Sequence, residues 1–475
     1  MGKRRNQKEI IQNLEVTGYA AEGKALAKLD GKVIFIENAV PGDVADVMIT
    51  RNKKDWAEGR VLSIITPSSQ RVVPFCKHFG ICGGCKWQML PYAKQLEYKQ
   101  QEAEQNLRRI GKLDGFLMMP IIGATQTRQY RNKLEFTASN KEFLAQPATK
   151  KDNPAEKPEF IPAHAIGFHV PRIFDKVVNI TECHLMDDIN NSIRNTVRDY
   201  AKAKNILFYD ARQHTGWLRN IIIRYCTTTE LMVNVVVNYE DAQEIKLLLD
   251  HLLQNVKGIT TLLYTVNSKW NDSLYDQEPI TYFGPGYVKE KLEDLVFIIS
   301  PKSFFQTNTR QAETLYRITR DFAGLTGNEI VYDLYCGTGS IGLFVSKYAK
   351  KVIGVELIEE AIADAKKNAA LNNIAHAAFF AGDVIEICDT HFFEKQGKPD
   401  VIITDPPRAG MHEKLVSKLL EIAAPRIVYV SCNTATQARD IALLHEKYIL
   451  EKIQPVDMFP HTHHIESVAL LTLRQ

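Results

Sequence analysis

Two residues near the end of the chain could do covalent chemistry together. Cys432 closes the apolar run Tyr429-Val-Ser431, and Glu466 ends the segment Phe459-Pro-His461-Thr-His463-His464-Ile465-Glu466. A thiolate is a nucleophile, and a carboxylate can accept a proton. A lone cysteine is more often a small buried hydrophobe. Cys432 differs in context, because it ends a strand and is followed by Asn433, Thr434 and Thr436. Asp405 stands in Asp405-Pro-Pro-Arg408-Ala-Gly410. There the prolines fix an extended turn that displays the carboxylate at a sheet edge. His461, His463 and His464 are too tightly bunched for a helical i, i+4 pair, and strand alternation does not bring all three to one face. Glu466 as proton acceptor is therefore the more useful reading of this segment than a metal site.

A glycine loop supplies the third part. Asp333-Leu-Tyr335-Cys-Gly337-Thr-Gly339-Ser340-Ile-Gly342 ends a strand and opens a helix. The glycines alone fit a dinucleotide fingerprint, but Asp333 at the strand tip would repel a pyrophosphate. A carboxylate there suits a cationic cofactor, and S-adenosylmethionine (SAM) carries ammonium and sulfonium charges without phosphate. Glu356 ends the next strand, where an acid can accept both ribose hydroxyls. Asp383 follows the third strand and is placed to hold an adenine amino group.

A thiolate, a sulfonium methyl and a base on one sheet edge define a reaction. C5 of a pyrimidine becomes nucleophilic once a thiolate adds to C6. It can then attack the methyl, and a base removes the C5 proton so that the thiolate is eliminated.

Cys76, Cys82 and Cys85 form a compact set of soft ligands, with Gly80, Gly83 and Gly84 letting the backbone wrap closely. Cys183 is the best candidate for a fourth ligand, because Cys226, Cys336 and Cys388 lie in other contexts. Spacing leaves zinc and iron–sulfur open, since tetrahedral sulfur sites suit both.

These residues need elements to position them. From about 299 onward, strands at Ile330–Leu334, Lys351–Glu356, Val401–Thr404 and Arg426–Ser431 alternate with helical stretches such as Ile362–Leu371. That alternation is the pattern of a parallel, doubly wound α/β sheet, Rossmann-like, that would form a catalytic domain over 299–475. Residues 1–68 read as a small all-β, OB-like barrel, with short β-rich runs divided by turn signals such as Asp30-Gly31 and Pro41-Gly42-Asp43. Residues 69–298 read as an α+β central domain bearing the cysteines. Within it residues 93–112 read as a helix, with the helical segment taken as 93–125 expected to pack on the catalytic domain, and 231–237 is expected to be a strand. The Lys-, Pro- and Ala-rich stretch 141–165 is expected to be a mobile surface insertion.

The chain of 475 residues is long enough for about three such domains. No stretch approaches the roughly 20 apolar residues of a membrane helix, and no apolar run follows the basic N-terminus, so a cytoplasmic enzyme is expected. Eight cysteines are too sparse for a disulfide scaffold. The net charge of +3 excludes one large basic field but leaves local basic patches: Lys3–Arg5, Arg51–Lys54, Arg108-Arg109 and Arg128–Lys133. Trp56, Trp87 and Tyr130 lie near them, the mix of cation and ring that single-stranded RNA sites use.

Taken together, Phe304-Phe-Gln306-Thr-Asn308, the Asp333–Gly339 loop, Asp405–Gly410, Ser431-Cys432-Asn433, Phe459–Glu466 and Tyr130–Lys133 resemble the SAM-dependent RNA uracil-5-methyltransferases. The resemblance is particularly to the bacterial 23S rRNA branch with an iron–sulfur cluster, and residues 1–68 resemble its TRAM domain. The resemblance implies Cys432 as nucleophile and Glu466 as base. It implies Gln306, Tyr335, Ser340, Glu356 and Asp383 around SAM, with Asp405 at the junction of cofactor and base. It also implies a [4Fe–4S] cluster on Cys76, Cys82, Cys85 and Cys183, and 23S rRNA as partner through a loop or flipped uridine. No obligate protein partner is expected. Ser340 departs from the rRNA pattern, which carries Asn there. A tRNA substrate for the same chemistry, and a non-catalytic RNA-binding protein, are the competing readings.

Overall fold

In the C-terminal half five parallel strands lie in the order Ala377–Ala381, Lys351–Glu356, Ile330–Leu334, Val401–Thr404, Arg426–Ser431. The chain starts at Ile330–Leu334, winds outward one way, then returns to the other side. The switch point therefore falls between Ile330–Leu334 and Val401–Thr404, and open α/β sheets bind ligands at the carboxyl ends of strands at such a point. All of these strands but the edge strand Ala377–Ala381 are almost wholly buried, as expected where helices cover both faces.

The sheet is not parallel throughout. Glu466–Leu473 inserts antiparallel between Arg426–Ser431 and Tyr448–Val456. The connection 457–465 is too short for a parallel crossover, so the last two strands must form a hairpin. This hairpin sets a register that the motifs alone did not reveal. Ser431 pairs with Ser467, so Cys432 and Glu466 stand opposite each other one step further along. Leu117–Met118 adds an eighth strand at the edge, beside Tyr448–Val456.

The computed structural model describes residues 9–143 and 163–475. The core of the insertion read at 141–165, and the basic segment Lys3–Arg5, lie outside the described residues. The first sheet has six strands within 10–66. Ala25, Ala27, Ile34, Ile36, Ala45, Val47 and Ala57 point inward with period two. The backbone N–H of Thr17 donates to Leu26 O (2.8 Å), which curls the sheet on itself. The central sheet has seven strands between Lys133 and Phe283, covered by helices Ile189–Ala203 and Ala242–Asn255. All seven residues of Leu231–Val237 are buried.

The helix expected from 93 runs Tyr92–Arg109 and stops well short of 125. Gly111 packs so closely that a Cβ would lie 2.7 Å from Leu107 O. The chain beyond it is extended, forms Leu117–Met118 and meets Pro120, which a helix interior rejects. The helix buries Ala103 and Leu107 and lies against Thr434–Leu444, with Asn106 Nδ2 donating to Thr434 Oγ1 (2.8 Å).

Candidate active site

The glycine loop is fastened to the acids around it. Asp333 Oδ2 accepts from the backbone N–H of Gly342 (2.8 Å). A Cβ on Gly342 would sit 2.9 Å from that oxygen, so the approach requires glycine. Tyr335 is a non-glycine residue in the left-handed region, with φ 63°. Such strain persists only where the surroundings enforce it, and it is common at ligand sites. Glu356 Oε2 accepts from Gly337 N–H (3.2 Å) and its Oε1 from Ile358 N–H (3.1 Å). Asp383 caps the short helix Val384–Ile387, accepting from Ile385 N–H (2.8 Å). Ser340 Oγ lies 2.9 Å from the buried hydroxyl of Tyr316, a neighbour the motifs did not reveal. Gln306 is buried just ahead of helix Thr309–Ala323, and its carbonyl accepts from Asn132 Nδ2 (2.9 Å).

Asp333 and Glu466 are buried acids, and half-buried Asp405 adds its field to both. Burial, with the charges of Asp405 and Glu356, pushes the Asp333 carboxyl up to about 8. Its Oδ1 has no hydrogen-bond partner among the described residues. Burial pushes Asp405 up to about 7, and burial together with Asp405 pushes Glu466 well above the carboxylate range. An acid site of this kind disfavours its own ionisation and favours the arrival of a cation. That donor set fits a sulfonium- and ammonium-bearing cofactor.

Cys432 is half-buried at the end of its strand, and burial followed by the charges of Glu466 and Asp405 pushes its thiol up to about 12. Arg408 acts against that shift and also opposes the rise at Glu466. The Arg408 carbonyl is fixed by Asn433 Nδ2 (3.0 Å) and Thr436 Oγ1 (3.2 Å). Arg408 lies inside the Asp405–Gly410 motif, and sequence reasoning gave it no role.

The connection 457–465, which delivers Glu466, is clamped from behind. Asp457 Oδ1 accepts from Lys99 Nζ (2.7 Å), with both side chains fully buried, and its Oδ2 accepts from Tyr92 Oη (2.8 Å). Gln95 accepts from His461 N–H (2.8 Å), and its Nε2 lies 3.1 Å from His461 Nδ1. The His461 carbonyl accepts from the N–H groups of Lys86 (2.8 Å) and Trp87 (3.1 Å). Asn308 and Gln311 donate to the carbonyls of Met458 and Asp457, both at 2.8 Å. Burial lowers His461 and His463 to about 4 and His464 to about 3, so the three rings are neutral at pH 7.

Cys76, Cys82, Cys85 and Cys183 line one small cavity together with His78 and His184. Burial pushes Cys82 and Cys85 up to about 12, and the charges of the other cysteines add to the rise. Among the described residues no group of three His, Cys, Asp or Glu side chains forms a site for a single metal ion.

The sheet order and the acids at its strand tips define a SAM-dependent methyltransferase fold preceded by a TRAM domain. Residues 281–474 match the model of the tRNA (uracil-5-)-methyltransferase family, and residues 10–62 match that of the TRAM domain. The chain is 51% identical to an RNA methyltransferase of Bacteroides thetaiotaomicron over 458 residues, which is 96% of this chain and all of that protein. A Porphyromonas gingivalis RNA methyltransferase is 48% identical, over 96% of this chain and 99% of its own. Among solved structures, the Pyrococcus abyssi tRNA (uracil-54, C5)-methyltransferase in complex with S-adenosyl-L-homocysteine superposes with a TM-score of 0.74. It is 27% identical and covers 97% of this chain and all of its own. The chain belongs to the RNA uracil-5-methyltransferase family.

Proposed function

We propose that this enzyme methylates C5 of a specific uridine in 23S rRNA, with Cys432 as nucleophile and Glu466 as base. The observation that carries this reading is the register that sets Cys432 opposite Glu466, with Asp405 ending the strand next to that of Cys432. Gln306, Tyr335, Ser340, Glu356 and Asp383 would hold SAM, whose sulfonium supplies the methyl group. Cys432 forms a bond to C6 of the uracil, and the C5–C6 π electrons move onto O4 as an enolate. C5 takes the methyl, and the sulfonium electron pair leaves with S-adenosylhomocysteine. Glu466 accepts the C5 proton, the enolate re-forms, and the C6–S bond breaks to return the Cys432 thiolate. Arg408 is a cation whose charge would favour that thiolate. Asp405 borders both the cofactor and the base.

The four cysteines would hold a [4Fe–4S] cluster, with zinc the less favoured alternative. What supports a bound metal centre here is that the four thiols line one small cavity; the preference for a cluster over zinc rests on the family resemblance, since sulfur sites suit both. The reaction needs no electron, so the cluster would be structural and help hold the loop that grips His461.

A tRNA substrate is the second reading, favoured by the Pyrococcus abyssi neighbour. Incubation with 5-fluorouracil-containing 23S rRNA and tRNA separates the two. The expected result is a covalent adduct with rRNA, retained on denaturing gels and absent in Cys432→Ala. An adduct with tRNA alone would move the substrate, and an adduct that persists in Cys432→Ala would remove the nucleophile assignment. Iron and sulfide analysis of anaerobically purified protein tests the cluster, and stoichiometric zinc would overturn it.

A further inference from the structure

Outside the catalytic edge lies a groove of about 930 Å³, at the upper end of the range for ligand pockets. It runs from the cysteine loop, at Gly83, Gly84 and Lys86, across the end of strand Ala165–His169 to Trp270. Gly83 sits hard against that strand, since a Cβ there would lie 3.0 Å from His169 O. At its other end Lys86 donates its backbone N–H to His461 O (2.8 Å), so the groove begins beside the connection that carries Glu466.

Two large rings stand exposed on its rim, Trp270 at 80% and Phe174 at 64%. A single exposed ring is unremarkable on a protein surface, but these are built into place. Trp270 stacks face to face on His214, with centroids 4.7 Å apart and planes 7° from parallel. Tyr209 Oη lies 3.0 Å from His214 Nδ1, and the buried Arg219 guanidinium covers Tyr209 at 4.0 Å. Arg219 occupies a bulge in its strand and donates to the carbonyls of Asn267 (2.6 Å), Lys269 (2.5 Å) and Asn271 (3.0 Å). The loop bearing Trp270 is thus held on both sides. Arg212 lies under Phe174 at 5.1 Å.

The charges in the groove are largely spent on one another. Arg219 pairs with Asp272, Arg212 with Asp175, and Arg172 with Glu37 of the first sheet. Lys86 is the lining cation that forms no ion pair among the described residues. Such a surface offers stacking rather than a phosphate track. Single-stranded RNA sites use rings for bases and separate cations for the backbone.

We propose that this groove receives the base of a nucleotide flanking the target uridine, stacked on Trp270, while Lys86 meets the phosphate between the two. The proposal rests on the RNA-methylating function above. The RNA is then held at two points, and the flanking base fixes which uridine enters the catalytic edge.

Fluorescence anisotropy with labelled oligouridylates of three and twelve nucleotides tests this. Trp270→Ala and Phe174→Ala should each weaken both oligomers by about 5- to 100-fold, because a three-mer that places the target uridine already carries the flanking base. Trp270→Phe should restore most of the loss. The salt dependence should be the same in wild type and Trp270→Ala, because stacking releases no counterions. Lys86→Ala should reduce the salt slope by about 0.7. Binding of S-adenosylhomocysteine by the variants checks their fold. Equal twelve-mer affinity in wild type and Trp270→Ala overturns the proposal and leaves the rings to a protein partner. A salt slope that changes in Trp270→Ala as it does in Lys86→Ala overturns the stacking assignment. Trp270-dependent binding in a wild type that forms no 5-fluorouracil adduct keeps the groove and removes the methylation reading.

Discussion

The two sides of the connection 457–465 treat buried charge in opposite ways. Behind it, Lys99 and Asp457 are both fully buried and bonded to each other, and Tyr92 fills the second carboxylate oxygen. In front of it, Asp333 and Glu466 are buried and Asp405 half-buried, with no cationic partner in hydrogen-bond reach among the described residues. Burial without a counter-ion raises a carboxyl pKa, and a close cation lowers it. The front therefore keeps protons or awaits a cation, while the rear is electrically complete. One side is poised for chemistry, and the other holds the chemistry in place.

The largest effect should follow from changing the unpaired side. Glu466→Gln keeps the shape and removes the proton acceptor. Turnover should fall about 10²- to 10⁴-fold, and the adduct with RNA should accumulate, because the C5 proton can no longer leave. Denaturing gels with ordinary, unfluorinated substrate would read this. Loss of activity without a trapped adduct would place the base elsewhere.

The paired side should respond in stability rather than in chemistry. Lys99→Met leaves Asp457 buried and uncompensated, which costs about 3–5 kcal/mol. Replacing both, as Lys99→Met with Asp457→Leu, should recover much of that loss. Urea unfolding of the two variants measures the difference. Equal instability of the single and double variants would mean that packing, and not the charge pair, holds the rear.

This contrast also marks what could be read before the fold was known. The acids and Cys432 were legible because alternating strands and helices put strand ends on one edge, and because each lies in a short local motif. The register that faces Cys432 with Glu466 was not, since it depends on an antiparallel hairpin closed by residues 457–465. The clamp was hidden for a different reason. Gln95 and Lys99 fall on the buried face of Tyr92–Arg109, where two polar residues look like breaks in an apolar stripe. Their partners lie more than 350 positions away. Tyr316 and Trp270 likewise carry no motif, and only packing shows what they face.

The unpaired acids predict a pH dependence of stability with a definite sign. The folded state holds the Asp333 and Asp405 protons up to about 8 and 7, while an unfolded chain releases them near the ordinary carboxylate value of about 4. Between those limits the native state holds these two protons more than the unfolded state does, so the stability these two groups contribute is greatest at low pH and is lost as pH rises through about 7 to 8. Each proton contributes a slope of up to about 1.4 kcal/mol per pH unit. Asp333→Asn should flatten the decline between pH 5 and 8 relative to wild type. Parallel profiles for the two would show that Asp333 is ionised throughout.

The smallest effect tests whether the two sides communicate. Gln95 offers its oxygen to His461 N–H and its amide to the carbonyls of Trp87 and Leu90 (both 3.0 Å). Gln95→Ala strands those buried groups, at a cost of about 1–3 kcal/mol. Gln95 touches neither Cys432 nor the acids, so the fold of the cofactor site should be spared and S-adenosylhomocysteine should bind as before. His461 sits in the left-handed region at φ 66°, a conformation that needs its surroundings to hold it. Without Gln95 the connection can relax, and Glu466, five residues on, would lose its place opposite Cys432. The expected signature is a fall in kcat with KM for SAM unchanged, and adduct that persists longer than in wild type. A stability loss of that size with unaltered kcat would mean that the rear stiffens the fold without steering the base.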